Sequence, residues 1–179
     1  ADMATAPTES PPRKRWLWPL LLVTALVADG WVLRNAVVWH KPNALGGNIQ
    51  EDRLSCRYEH LFHFVQPGSY AGGRQYDGTY YYDRSAMQVP AAGGGTKDVG
   101  DVWSVPTRPS RSGHPAAFPE SLVERCVLAC SQVGDVVLDP FCGSGTAGVV
   151  ALAHGRRFVG VELNPAYAAT ATARLTIPA

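Results

Sequence analysis

The sequence predicts an α/β fold, a three-layer sandwich in which helices cover a parallel sheet. Two stretches carry the prediction. Residues 136–149 read V-V-L-D-P-F-C-G-S-G-T-A-G-V, an apolar strand that enters a glycine turn and leaves it as a helix at about Thr146. Residues 157–163 form a second apolar strand, and a strand–helix–strand order implies parallel pairing. The strand over 135–141 is nearly all apolar, as a central strand covered on both faces should be.

The other elements follow in order from local signals. Residues 1–15 are rich in Ala, Thr, Pro and Ser and read as a disordered tail. Arg13-Lys14-Arg15 then precedes an apolar run over Trp16–Ala28. Signal peptides share that form, and the run is too short to span a membrane as a helix. A buried helix accounts for it better. Pro19 falls in the first turn, and Asp29-Gly30 stops the helix directly before a strand over Val32–Trp39. The expectation is a buried helix in a cytoplasmic protein. His40–Asp52 is a loop holding Lys41-Pro42-Asn43 and Gly46-Gly47, and Tyr58–Val65 is a second strand, antiparallel to the first. Residues 66–100 carry Tyr70, Tyr76, Tyr80, Tyr81, Tyr82 and the triplet Gly93-Gly94-Gly95, without clear periodicity. They read as a functional segment or as a loop with a short Tyr80–Tyr82 strand. Val102–Val105 leads into a loop over 106–117. A helix over 119–132 opens on Pro119 and Glu120, which suit a first turn. The last helix runs from Pro165 to about Leu175.

Gly143, Gly145 and Gly148 give a G-x-G-x-x-G spacing, which lets the backbone turn tightly and approach a ligand closely. Glu162 ends the next strand, about 20 residues on, where an acid binds the ribose in βαβ nucleotide folds. A nucleoside-containing cofactor at the C-terminal edge of the sheet is therefore expected. Dinucleotides place a pyrophosphate at the helix N-terminus, and Asp139 beside the turn disfavours that anion. S-adenosylmethionine carries a sulfonium and an ammonium and no phosphate, so Asp139 suits it. Glu162 would accept hydrogen bonds from the ribose hydroxyls, and Leu163 would wall the adenine. The bland alternative makes Asp139 only a turn residue before Pro140.

D-P-F-C-G-S-G-T (Asp139–Thr146) and G-V-E-L-N-P-A-Y (Gly160–Tyr167) resemble the cofactor motifs of DNA amino-methyltransferases, which methylate N4 of cytosine or N6 of adenine. H-P-A-A-F-P-E-S-L (His114–Leu122) resembles the motif just upstream of that family's cofactor strand. Ala28–Asn43 resembles a strand motif on the catalytic side of its sheet. The order matches the permuted class, in which the catalytic part precedes the cofactor part. The resemblance spans residues 16–175. It implies a sandwich of the S-adenosylmethionine-dependent methyltransferase (Rossmann-like) type, incomplete in this chain, that acts on double-stranded DNA in a restriction–modification setting. Asp139, Phe141, Gly143, Ser144, Gly145, Thr146, Glu162, Leu163 and Asn164 would hold the cofactor, with His114 and Phe118 closing over its methionine end. The implied division is a tail over 1–15, catalytic-side helix and strands over 16–65, a target-recognition segment or loop over 66–101, and the cofactor part over 102–179.

The family's chemistry needs an Asp- or Ser-Pro-Pro-aromatic tetrapeptide, whose ring stacks on a flipped base. Ser10-Pro11-Pro12-Arg13 is the sole candidate, and it ends in Arg, follows no apolar strand and lies too close to the next motif. Catalytic residues therefore stay unassigned, and an upstream chain carrying the motif is an expected partner. The alternative is a non-catalytic cofactor- or DNA-binding remnant, or one half of a split enzyme. An NAD-dependent oxidoreductase is disfavoured by Asp139 and by the flanking motifs.

Composition sets bounds. The 179 residues make one domain's worth of chain, and 46% apolar content is enough for a core. A net charge of +1 gives no global pull toward nucleic acid. Residues 44–101 carry five basic and seven acidic side chains, so local charge gives DNA binding no support either. Cys126 and Cys130 join Leu122, Val123 and Val127 on one helical stripe and read as buried, reduced thiols. Cys56, His60 and His63 lack the second cysteine pair a zinc site would bring, so no metal is expected.

Overall fold

A computed structural model describes residues 17–44, 55–66, 80–107 and 118–176. Helix α1 (Trp18–Ala28) leads into β1 (Val32–His40) and β2 (Tyr58–Val65). A 3-10 turn over Arg84–Met87 precedes β3 (Gln88–Pro90), β4 (Thr96–Asp98) and β5 (Val102–Ser104). Then follow α2 (Glu120–Cys130), β6 (Val136–Asp139), α3 (Thr146–Ala153), β7 (Arg157–Gly160) and α4 (Pro165–Thr176). The fold is α/β, and among the described residues its strands lie in three pieces ordered β2-β1-β5, β3-β4 and β6-β7. β1 pairs antiparallel with β2, as expected, and parallel with β5, while β6 and β7 pair parallel.

The core forms where β1, β5 and α2 meet. Val37, Trp39, Met87, Trp103, Leu122 and Ala129 are buried together. Both indoles find acceptors: Trp39 Nε1 donates to the Val105 carbonyl at 2.7 Å, and Trp103 Nε1 to that of Gly100 at 2.9 Å. On α2, burial pushes the Cys126 thiol up to about 11, and its Sγ lies 3.6 Å from the Leu122 carbonyl. Cys126 is partly buried and Cys130, one helical turn along, is exposed as a residue, so the predicted pair of buried thiols lies nearer the surface than expected, although burial raises the Cys130 thiol as well. His60 stacks on Phe62, and His63 stacks on Tyr82. An odd spacing along β2 sends the two imidazoles to opposite faces. Among the described residues no three His, Cys, Asp or Glu side chains group as metal ligands. Burial and the nearby Arg34 both hold His63 below the usual histidine range.

Three further expectations need correction. The helix predicted over Trp16–Ala28 forms and is capped as foreseen, with Gly30 at φ 94° and its N–H donated to the Val27 carbonyl. It is not buried: none of its residues is buried, and Leu17, Trp18, Leu20, Leu21, Leu22 and Val27 are exposed. The helix has apolar residues all round, and the described residues pack only part of it against β1. Nor is β6 covered on both faces. Val137 and Phe158 turn toward α3, while Val136, Leu138, Val159 and Val161 stay exposed on the other side. Full burial of such a side chain contributes about 1.5–3 kcal/mol. Finally, Tyr80–Tyr82 is not a strand. Order in that region comes from the β3–β4 hairpin, whose turn uses Gly94 (φ 91°) and Gly95 (φ 75°).

Strand edges are open as well. β6 pairs with β7 alone among the described residues, and β1 pairs with β5 only over Val38–His40. No helix among the described residues is long and apolar enough to cross a membrane.

Candidate functional site

The site is built on the turn between β6 and α3. Pro140 has no N–H to continue the ladder, so β6 ends at Asp139. The Asp139 carboxylate then accepts the Phe141 N–H at 3.0 Å through Oδ1. Cys142 N–H returns to the Val161 carbonyl at 2.9 Å, which keeps the turn beside the end of β7. Gly143 (φ 53°) and Gly145 (φ 79°) are both left-handed, a conformation that an L side chain strains. Gly145 N–H closes the turn on the Cys142 carbonyl at 2.7 Å.

Glu162 joins the two cofactor segments. Its Oε2 accepts the Gly143 N–H at 2.9 Å, and its Oε1 accepts the Asn164 N–H at 2.8 Å. A carboxylate offers about four lone-pair positions, so each oxygen keeps room for a further donor. Two adjacent hydroxyls, as on a ribose, match that arrangement. Leu163, the residue after the acid, is 97% exposed, and Phe141, two residues before Gly143, is 88% exposed.

Other expected residues point elsewhere. Ser144 is only 3% exposed, and its Oγ and carbonyl both accept from Arg174 Nη1, at 3.2 and 2.7 Å. Thr146 Oγ1 is buried beside the same nitrogen at 3.4 Å. Asn164 Oδ1 accepts the Ala166 N–H at 3.0 Å and so caps α4, with Pro165 at the first helical position. The Ser144 and Thr146 side chains are thus turned onto Arg174, and the Asn164 N–H and carbonyl are taken by Glu162 and by the Ala168 N–H. Phe118 is partly exposed, just ahead of α2. His114 and Ser10-Pro11-Pro12-Arg13 lie outside the described residues.

Arg174 was not foreseen from the sequence. Besides Ser144 and Thr146 it reaches Glu120 at the start of α2, with Nη2 3.0 Å from Oε1. A basic residue in the last turn of a helix is an ordinary companion of the helix dipole, so nothing local marked it. Asn43 was also unassigned. Its Oδ1 accepts the Thr107 N–H at 2.8 Å and its Nδ2 donates to the Thr107 carbonyl at 2.7 Å, tying the loop after β1 to the segment after β5. A separate cavity of 760 Å³ lies on the β1–β2 sheet, lined by Trp31, His63, Tyr80, Tyr82 and Trp103 among others. It contains none of the residues around the glycine turn.

The DNA methylase family profile matches residues 8–173. The type II methyltransferase M.XycI of Xanthomonas campestris pv. cyanopsidis is 41% identical over 157 residues, covering 88% of this chain and 49% of the relative. The chain thus spans about half the length of the curated relatives it matches first. The crystal structure of an M1.HpyAVI–SAM complex superposes with a TM-score of 0.67 at 23% identity, covering 93% of this chain and 72% of that one. A DNA modification methylase from Thermus thermophilus, complexed with S-adenosyl-L-methionine, gives a TM-score of 0.56 at 31% identity. That alignment covers 88% of this chain and 59% of the Thermus chain.

Proposed function

This chain belongs to the DNA methylase family, and from that premise we propose that it is the cofactor-binding part of a DNA amino-methyltransferase. The cofactor is S-adenosylmethionine, and the acceptor is N4 of cytosine or N6 of adenine in duplex DNA. The observation that carries this reading is Glu162, held by two backbone N–H groups with acceptor positions to spare at the end of β7. The complex of the 31% identical Thermus relative with the same cofactor supports it.

The residues present fit the cofactor. Glu162 accepts the ribose hydroxyls, and Leu163 and Phe141 offer apolar surface to the adenine. Gly143 and Gly145 let the backbone approach closely, Ser144 and Thr146 contribute main-chain groups, and Asn164 supports the site by donating its N–H to Glu162. Asp139 keeps an anionic charge beside the turn, which suits a cationic amino-acid end and opposes a pyrophosphate. Phe118 closes over that end. S-adenosylmethionine when bound supplies a methyl group on a sulfonium, which an amine nitrogen displaces directly. The chain's own share is to hold the donor in line and keep water away, since alignment accounts for much of such an acceleration.

The base-holding tetrapeptide comes from polypeptide upstream of the described residues, in the same protein or in a partner chain. The open edge of β6 and the bare apolar surfaces of α1 and the β6–β7 sheet support this. An edge strand with no partner is a template for pairing. A protein that draws on intracellular S-adenosylmethionine works in the cytoplasm. A non-catalytic remnant is the second reading, favoured by the Arg that ends Ser10-Pro11-Pro12-Arg13.

The protein extended upstream is expected to leave N4-methylcytosine or N6-methyladenine in duplex DNA. Nucleoside digestion followed by mass spectrometry reads the product. Appearance of 5-methylcytosine, or no methylated nucleoside at all, rejects the proposal.

A further inference from the structure

We infer that Arg174 is a positioning residue for the cofactor, acting from behind the glycine turn. The inference rests on the cofactor reading above. One guanidinium gathers three separate elements. Nη1 donates to the Ser144 carbonyl at 2.7 Å and lies 3.2 and 3.4 Å from Ser144 Oγ and Thr146 Oγ1. Nη2 pairs with Glu120 at 3.0 Å, two residues beyond Phe118. The turn that meets the nucleoside and the segment that meets the methionine end are therefore fixed to each other through α4.

The local chemistry explains why this clamp matters. Ser144 sits between two left-handed glycines, Gly143 and Gly145, residues whose backbone is intrinsically permissive. Its carbonyl is drawn inward by a charged donor, and charge-assisted bonds are the stronger kind. With that carbonyl pinned inward, the orientation of the neighbouring peptides is set before a ligand arrives. α4 supports the turn sterically too, since a Cβ added at Gly145 would meet Ala171 Cβ at 3.1 Å. A planar fork reaches both the carbonyl and Glu120, whereas the point charge of a lysine satisfies one at a time.

The test is calorimetric titration of S-adenosylmethionine into the full chain and its variants, at a temperature where circular dichroism shows each fully folded. Arg174→Met should weaken binding about tenfold or more, the scale of one lost charge-assisted bond. Arg174→Lys should recover part of the loss. Glu120→Ala, at an exposed position, should weaken binding severalfold, and Glu120→Gln, which keeps an acceptor, should not. A merely structural arginine would lower the melting temperature and leave the affinity of the folded protein unchanged. Should Arg174→Met fail to fold, the Lys and Glu120 variants decide. Wild-type affinity in all folded variants overturns the inference while leaving the cofactor reading intact. A wild-type chain that does not bind the cofactor overturns both.

Discussion

Methyl transfer to duplex DNA by this chain alone should run several orders of magnitude below that of the same protein extended upstream. The acceptor base must leave the stack, lie against a ring and give its amino protons to fixed acceptors. Ser10-Pro11-Pro12-Arg13 offers an Arg where the ring belongs. Losing about 4 kcal/mol of positioning reduces a rate about a thousandfold. Tritiated methyl incorporation into mixed-sequence duplex, with the two proteins side by side, measures the ratio. Comparable incorporation by the shorter chain would place the catalytic group within it, with Ser10–Arg13 and the His40–Asn43 loop the first positions to substitute. The same comparison reads solubility. The bare side chains of α1 and the β6–β7 sheet should make the shorter chain self-associate, and upstream polypeptide should suppress this.

Glu162→Ala should weaken S-adenosylmethionine binding by about ten- to a hundredfold, which is roughly 1.5–3 kcal/mol for hydrogen bonds to a charged group. The loss has two parts. The ribose hydroxyls lose their acceptor, and the Gly143 and Asn164 N–H groups lose the carboxylate that fixes the turn against the end of β7. Glu162→Gln should fall between. An amide has one acceptor oxygen, so it can hold only one of those two N–H groups. Titration of folded variants checks both, and unchanged affinity in Glu162→Ala would put the ribose elsewhere.

Much of the fold was legible because its signals are local. The apolar alternation and breakers around β1, β2, β6 and β7 placed these strands to within a few residues, and Gly30 stopped α1 where expected. The glycine turn was legible for the same reason, since a left-handed backbone leaves a mark at Gly143 and Gly145. What depended on distant partners was not. The apolar residues of α1 predict burial, yet burial needs a covering element, and the described residues supply too little of one. The β3–β4 hairpin escaped notice because each strand is three residues long, too short for a period to show. The motif alone assigns Ser144 and Thr146 to the ligand, while their side chains turn inward to an arginine 28 to 30 residues away. Arg174 itself shows its role only once α4 is folded back onto the turn.

The central claim is that the β6–α3 turn and Glu162 form an S-adenosylmethionine site. Calorimetric titration of the chain with S-adenosylmethionine, its demethylated product and NAD tests it most directly. Saturable binding of the first two with one site per chain is expected, and none of NAD, because Asp139 keeps an anionic charge beside the turn. Binding of NAD alone would contradict it.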